Sequence, residues 1–116
     1  MSKILGIHTL ELCPDVNEQE FEKFVTEELS TYFWHTSGYS HHIFKGIKGD
    51  RAGKYLLMFK IEGDKAQKHY FAPEEIKNNI MQQLHDNHPN NTKLLNKFKS
   101  MVTGFTINFT DYIEIE

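Results

Sequence analysis

The stretch Ile4–Leu29, ILGIHTLELCPDVNEQEFEKFVTEEL, changes its hydrophobic period once, and that change decides the fold class. Its first nine residues, Ile4 to Leu12, are rich in branched side chains and closed by Cys13-Pro14-Asp15, the composition and punctuation of a β-strand. A helix signal follows at once. Asn17 with Glu20 three residues on has the form of a capping box, and Val16 against Phe21 that of a hydrophobic staple. Phe21, Phe24, Val25 and Leu29 then recur at helical spacing while Glu22, Lys23, Glu27 and Glu28 take the other side, which predicts a helix docked by one face on a sheet.

Beyond this unit the aromatic cluster Tyr32-Phe33-Trp34 runs into a Ser37-Gly38 break, and a second strand is expected from about Tyr39 to Ile47. Gly46, Gly49 and Gly53, with Asp50-Arg51 between them, mark a hairpin loop, and KYLLMFKIE from Lys54 reads as the third strand. Asp64 is placed to cap a short helix through Phe71. Pro73 opens another, with Ile76, Ile80 and Leu84 as its expected buried stripe. After His88-Pro89-Asn90-Asn91, a further amphipathic segment carries Leu94, Leu95, Phe98, Met101 and Val102 up to Gly104. Phe105, Ile107 and Phe109 alternate with Thr106, Asn108 and Thr110, which predicts a last strand with one apolar face. The expected order, β-α-β-β-α-α-β, describes an α+β protein of ferredoxin-like βαββαβ type with an extra helix and an antiparallel four-stranded sheet, one domain over residues 1–116.

Composition narrows the function classes. With 39% hydrophobic and 25% charged residues the chain is an ordinary globular sequence. A net charge of −3 and a pI near 6.1 give no electrostatic footprint for nucleic acid. No apolar run approaches the roughly 18 residues that span a bilayer, and the start MSKILGIHTL lacks the pattern of a signal peptide, so a cytoplasmic protein without membrane contact is expected. Cys13 is the lone cysteine, excludes an internal disulfide, and reads as structural.

Two strands carry apolar residues on both parities. Tyr55, Leu57, Phe59 and Ile61 stand opposite Leu56 and Met58, and Ile4, Leu10 and Leu12 stand opposite Leu5 and Ile7. A sheet with one wet face alternates more cleanly, so a homodimer through the sheet face is expected. In element order, in the helix pattern FEKFVTEEL, in the loop and strand KGIKGDRAGKYLLMF and in the HYF that follows, the chain resembles the dimeric α/β-barrel proteins, among them antibiotic-biosynthesis monooxygenases and stress-responsive barrel proteins. The resemblance implies a dimeric α/β barrel and no particular reaction, since this fold hosts several. The haem-degrading members pair a first-strand asparagine with a tryptophan and a histidine in the later helical half. Here His8 stands on the first strand and Trp34 follows the first helix, so haem oxygenation is disfavoured and no cofactor is implied.

Seven histidines invite a metal reading, but their spacing discourages it. His41 and His42 leave a strand on opposite faces, and His85 and His88 sit where a helix C-terminus suits a positive group. No metal site is predicted. The glycine-rich loop Gly46–Gly53 lacks the phosphate-binding pattern and reads as a hairpin. His8 shares the parity of Ile4, Leu10 and Leu12 and is the one polar side chain expected between sheet and helices, bonded to Asn108, Thr110 or a tyrosine, or else acting as an acid/base group. His8, Trp34, His42, Tyr55 and Tyr70 are the candidate ligand-binding residues, with His8 the catalytic candidate. The expected function is a small soluble dimer that binds a hydrophobic or aromatic molecule between sheet and helices. The alternative is a cofactor-independent monooxygenase or isomerase acting on a small aromatic or polyketide-like compound.

Overall fold

The structure, a computed structural model, describes residues 3–32 and 38–115, and of Ile80, Met81, Leu84 and His85 the backbone only. Expectations placed on Phe33, Trp34, the side chains of Ile80 and Leu84, and that of His85 therefore lie outside the described residues. Five strands form one open antiparallel sheet: β1 (Ile4–Leu12), β2 (Tyr39–Lys45), β3 (Tyr55–Ile61), β4 (Val102–Thr103) and β5 (Phe109–Ile113). The helices are α1 (Glu18–Glu27), α2 (Asp64–Tyr70), α3 (Glu74–Asn87) and α4 (Pro89–Met101), with a 3-10 turn at Leu29–Thr31. The architecture is thus α+β. Among the described residues no helix is long and apolar enough to cross a membrane.

The first crossover forms as its local chemistry dictates. Asn17 Oδ1 accepts from the Gln19 and Glu20 amides at 2.8 and 3.2 Å, satisfying two of the donors that a helix start leaves free. Phe21 and Phe24 then bury completely against Leu10, Tyr55 and Leu57 of the sheet and Phe98 of α4. A smaller cluster, Ile4, Ile61 and Ala66, fixes α2 to the other end of the same face. At the start of α2 the cap is Gly63, not Asp64, which instead lies in the first turn, where its charge suits the helix dipole. Ile76, expected in a buried stripe, is half exposed.

β3 lies between β2 and β1, and the free side of β1 takes β4 at one end and β5 at the other. Both segments belong to the returning chain, and their registers disagree. His8 faces Phe109 while Glu11 faces Thr103, so three steps along β1 match six along the returning strand. The excess is looped out at residues 104–108. Gly104 turns there with φ +88, and its carbonyl accepts from the amides of Ile107 and Asn108. The single strand expected from Phe105 is therefore broken and begins later. Val102 lies on the sheet instead of ending the helix, and Ile107, which alternation placed on the apolar face, is exposed.

Cross-strand pairing assigns the faces. Ile4, Gly6, His8 and Leu10 share the helix-covered side with Tyr55, Leu57, Phe59 and Ile61. Leu5, Ile7, Leu56, Met58 and Phe44 lie on the other, which carries none of the helix-packed core. In the hairpin loop Arg51 donates to the main-chain oxygens of Leu10 and Tyr55 at 3.1 and 3.0 Å and pairs with Glu11, tying the loop to β1.

Candidate functional site

Between the helix-covered face and the helices lies a cavity of about 310 Å³. Such a volume is at the small end of ligand pockets. Leu29, Leu57, Phe59, Leu95, Phe98 and Phe105 give it apolar walls. Tyr32, Tyr39, His41, His69, Tyr70 and Lys77 also line it, so His8 is not the one polar group in this space.

His8 sits on β1 with its ring stacked on Phe109 at 5.1 Å and edge-on to Phe59 at 5.3 Å. Its Nδ1 donates to the Phe105 carbonyl at 2.6 Å, in place of the partners expected from sequence, Asn108, Thr110 or a tyrosine. A carbonyl only accepts, so a proton is on Nδ1, and the tautomer this selects has its lone pair on Nε2. That Nε2 is buried and, among the described residues, has no hydrogen-bond partner.

Gly6 is the next residue of β1 on the same face, and its lack of a side chain brings three polar atoms together. A Cβ built there would meet Asp111 Oδ1 at 3.0 Å, Tyr70 Oη at 3.1 Å and His8 Nε2 at 3.6 Å. The Tyr70 hydroxyl donates to Asp111 Oδ1 at 2.6 Å. Burial and that bond hold the Tyr70 phenol protonated well above the ordinary tyrosine range. Its proton committed to Asp111, Tyr70 offers only lone pairs to anything else. The polar atoms gathered around Gly6 are therefore all acceptors: imidazole nitrogen, phenol oxygen and carboxylate.

The rest of the polar lining is aromatic. Tyr39 packs edge-on to His69 at 5.4 Å, and burial pushes its pKa up to about 12. Burial likewise raises the Tyr32 phenol. His41 lies edge-on to Tyr32 at 6.0 Å, and burial lowers its pKa, opposed in part by a hydrogen bond to the Leu29 backbone. Lys77 Nζ stands 5.5 Å from the centre of the Tyr70 ring.

Of the sequence candidates, the cavity brings together His8 and Tyr70. His42 pairs with Met58 and points to the opposite face of the sheet, and its neighbour His41 is the lining residue. Tyr55 is buried outside the cavity, with its hydroxyl bonded to Glu22 on α1. Trp34 lies outside the described residues. Sequence reasoning missed Tyr39, His69, Lys77 and Asp111. Tyr39 was the findable one, since it shares the parity of Ile43 on β2. No group of three His, Cys, Asp or Glu among the described residues is arranged to hold a metal ion.

No protein-family model matches this chain, no curated protein matches it, and no solved structure matches it.

Proposed function

We propose that this chain binds a small, flat, largely apolar molecule in the cavity between sheet and helices, and that the ligand donates one hydrogen bond to His8 Nε2. The observation that carries this reading is the orphaned Nε2 on an aromatic wall. A buried acceptor without a donor costs about 1–3 kcal/mol, and a ligand that supplies the donor recovers it. Phenols and N–H heterocycles have the required chemistry: a flat face for the aromatic walls and one donor at the edge.

Matched compounds test it. 2-Naphthol should bind about tenfold tighter than 2-methoxynaphthalene, which has the same ring and no donor. His8→Ala should erase the preference. Equal binding of the two compounds to the unmodified protein would overturn the reading. A catalytic version, the cofactor-independent monooxygenase or isomerase, draws on the same atom, because a lone pair held on Nε2 by the Phe105 carbonyl can accept a proton. Turnover that survives His8→Ala would rule it out.

The strand order, with β1 and β3 at the centre and the helices on one side, supports a ferredoxin-like assignment of the dimeric α/β-barrel kind. Leu5, Ile7, Leu56, Met58 and Phe44 on the uncovered side support a two-fold homodimer through that face. Light scattering should give twice the 13.6 kDa chain mass. Met58→Asp should halve it while leaving the circular dichroism unchanged. A monomer at all concentrations would remove the dimer.

A further inference from the structure

Lys77 lines the cavity, and the proposed function leaves it without a task. It lies on α3, partly exposed, with Nζ over the face of Tyr70. Among the described residues it forms no ion pair, although Glu74 precedes it by one turn on the same helix and is exposed. It is also the only lysine or arginine among the described residues that line the cavity, and none of those residues is an aspartate or glutamate.

We propose that the ligand is a small aromatic carboxylate whose anionic end is held by Lys77, an inference that rests on the His8 reading above. Two polar parts of the site differ in sign. Around Gly6, His8 Nε2, the Tyr70 oxygen and the Asp111 carboxylate present lone pairs and a negative charge, which repel an anion and attract a donor. Over the Tyr70 face, Lys77 presents three donors and a positive charge beside an apolar wall, where a carboxylate is held by charge-assisted hydrogen bonds. Tyr70 touches both, its hydroxyl bonded to Asp111 and its face under Lys77. A ligand that uses both has an aromatic body that carries a donor for His8 Nε2 and a carboxylate for Lys77.

Three probes measured by calorimetry test the assignment: 2-naphthol, 2-methoxynaphthalene and 6-hydroxy-2-naphthoate. The hydroxynaphthoate should bind the unmodified protein about tenfold or more tighter than 2-naphthol, and added salt should narrow that ratio. Lys77→Met should bring the ratio to about one, while Lys77→Arg, which keeps the charge, should retain most of it. A ratio near one in the unmodified protein, or a ratio that survives Lys77→Met, overturns the assignment to Lys77 and leaves the His8 reading standing if 2-naphthol still outbinds its methyl ether. If 2-naphthol has no advantage over the ether, the His8 reading fails and the assignment falls with it.

Discussion

Replacing Gly6 by alanine tests the polar end of the site through stability alone. The new Cβ would stand 3.0 Å from Asp111 Oδ1 and 3.1 Å from Tyr70 Oη, tighter than ordinary contact, so both oxygens must give way by a few tenths of an ångström, and the expectation is that the 2.6 Å bond between them is lost. A hydrogen bond to a charged acceptor contributes about 1.5–3 kcal/mol. Asp111 is exposed, and water takes over part of the lost partnership, so the lower end applies. Against this, alanine in place of glycine in a strand returns about 0.5–1 kcal/mol of backbone entropy. The net expectation is a loss of about 0.5–1 kcal/mol, read as a lower urea midpoint at unchanged m-value. The mechanism is separable from general crowding by a double-mutant cycle. With Tyr70→Phe the bond is already absent, so Gly6→Ala in that background should stabilise by the entropy gain alone, giving a coupling of about 1.5 kcal/mol, the contribution of the bond. Costs that add, with coupling below about 0.3 kcal/mol, would show that the alanine is resisted by something other than the Tyr70–Asp111 contact.

Two further outcomes are expected. Asn17→Ala should remove the acceptor for the Gln19 and Glu20 amides and cost about 1 kcal/mol in urea unfolding, whereas Asn17→Ser should cost a few tenths. Burial and the Glu22 contact push the buried Tyr55 phenol up to about 12, so the unfolded chain gives up that proton near pH 10 while the folded one keeps it. The Tyr55 contribution is then complete below pH 10 and is lost as pH rises toward 12, at up to about 1.4 kcal/mol per pH unit. Urea titrations of the unmodified protein and Tyr55→Phe from pH 9 to pH 11 check it, and identical slopes would refute it.

How much of this was legible in sequence depended on whether the signal was local. The α1 start was, because a cap and the residue it caps are neighbours: Asn17 bonds two and three residues ahead. The β3 faces were legible too, since period-two alternation survives in any pairing. His42 failed for the opposite reason. Two adjacent histidines on a strand differ only in face, and the choice rested on the pairing of Ile43 with Leu57 and His42 with Met58, a long-range fact. Asp111 and Lys77 were invisible in the same way. Each is an ordinary charged residue in its own segment, and acquires its role only where β5 and α3 approach Tyr70.

The largest misreading and the candidate site have one origin. Phe105, Ile107 and Phe109 alternate well enough to suggest an unbroken strand, which in one register would leave the Phe105 carbonyl to ordinary strand pairing. Gly104 prevents that by turning with positive φ, a conformation that a side chain resists, and a Cβ there would also stand 3.0 Å from Asn108 Nδ2. The extra residues then leave the sheet. Phe105 drops its ring against Phe98 at 5.2 Å and turns its carbonyl onto His8 Nδ1. The same excess sets the β5 register, placing Phe109 over the His8 ring and Asp111 opposite Gly6. One looped-out turn therefore fixes the histidine tautomer, stacks the ring and delivers the carboxylate that occupies the Tyr70 proton. An edge strand paired without that turn would leave His8 Nδ1 without the Phe105 carbonyl, and neither ring nitrogen would be singled out to face a ligand.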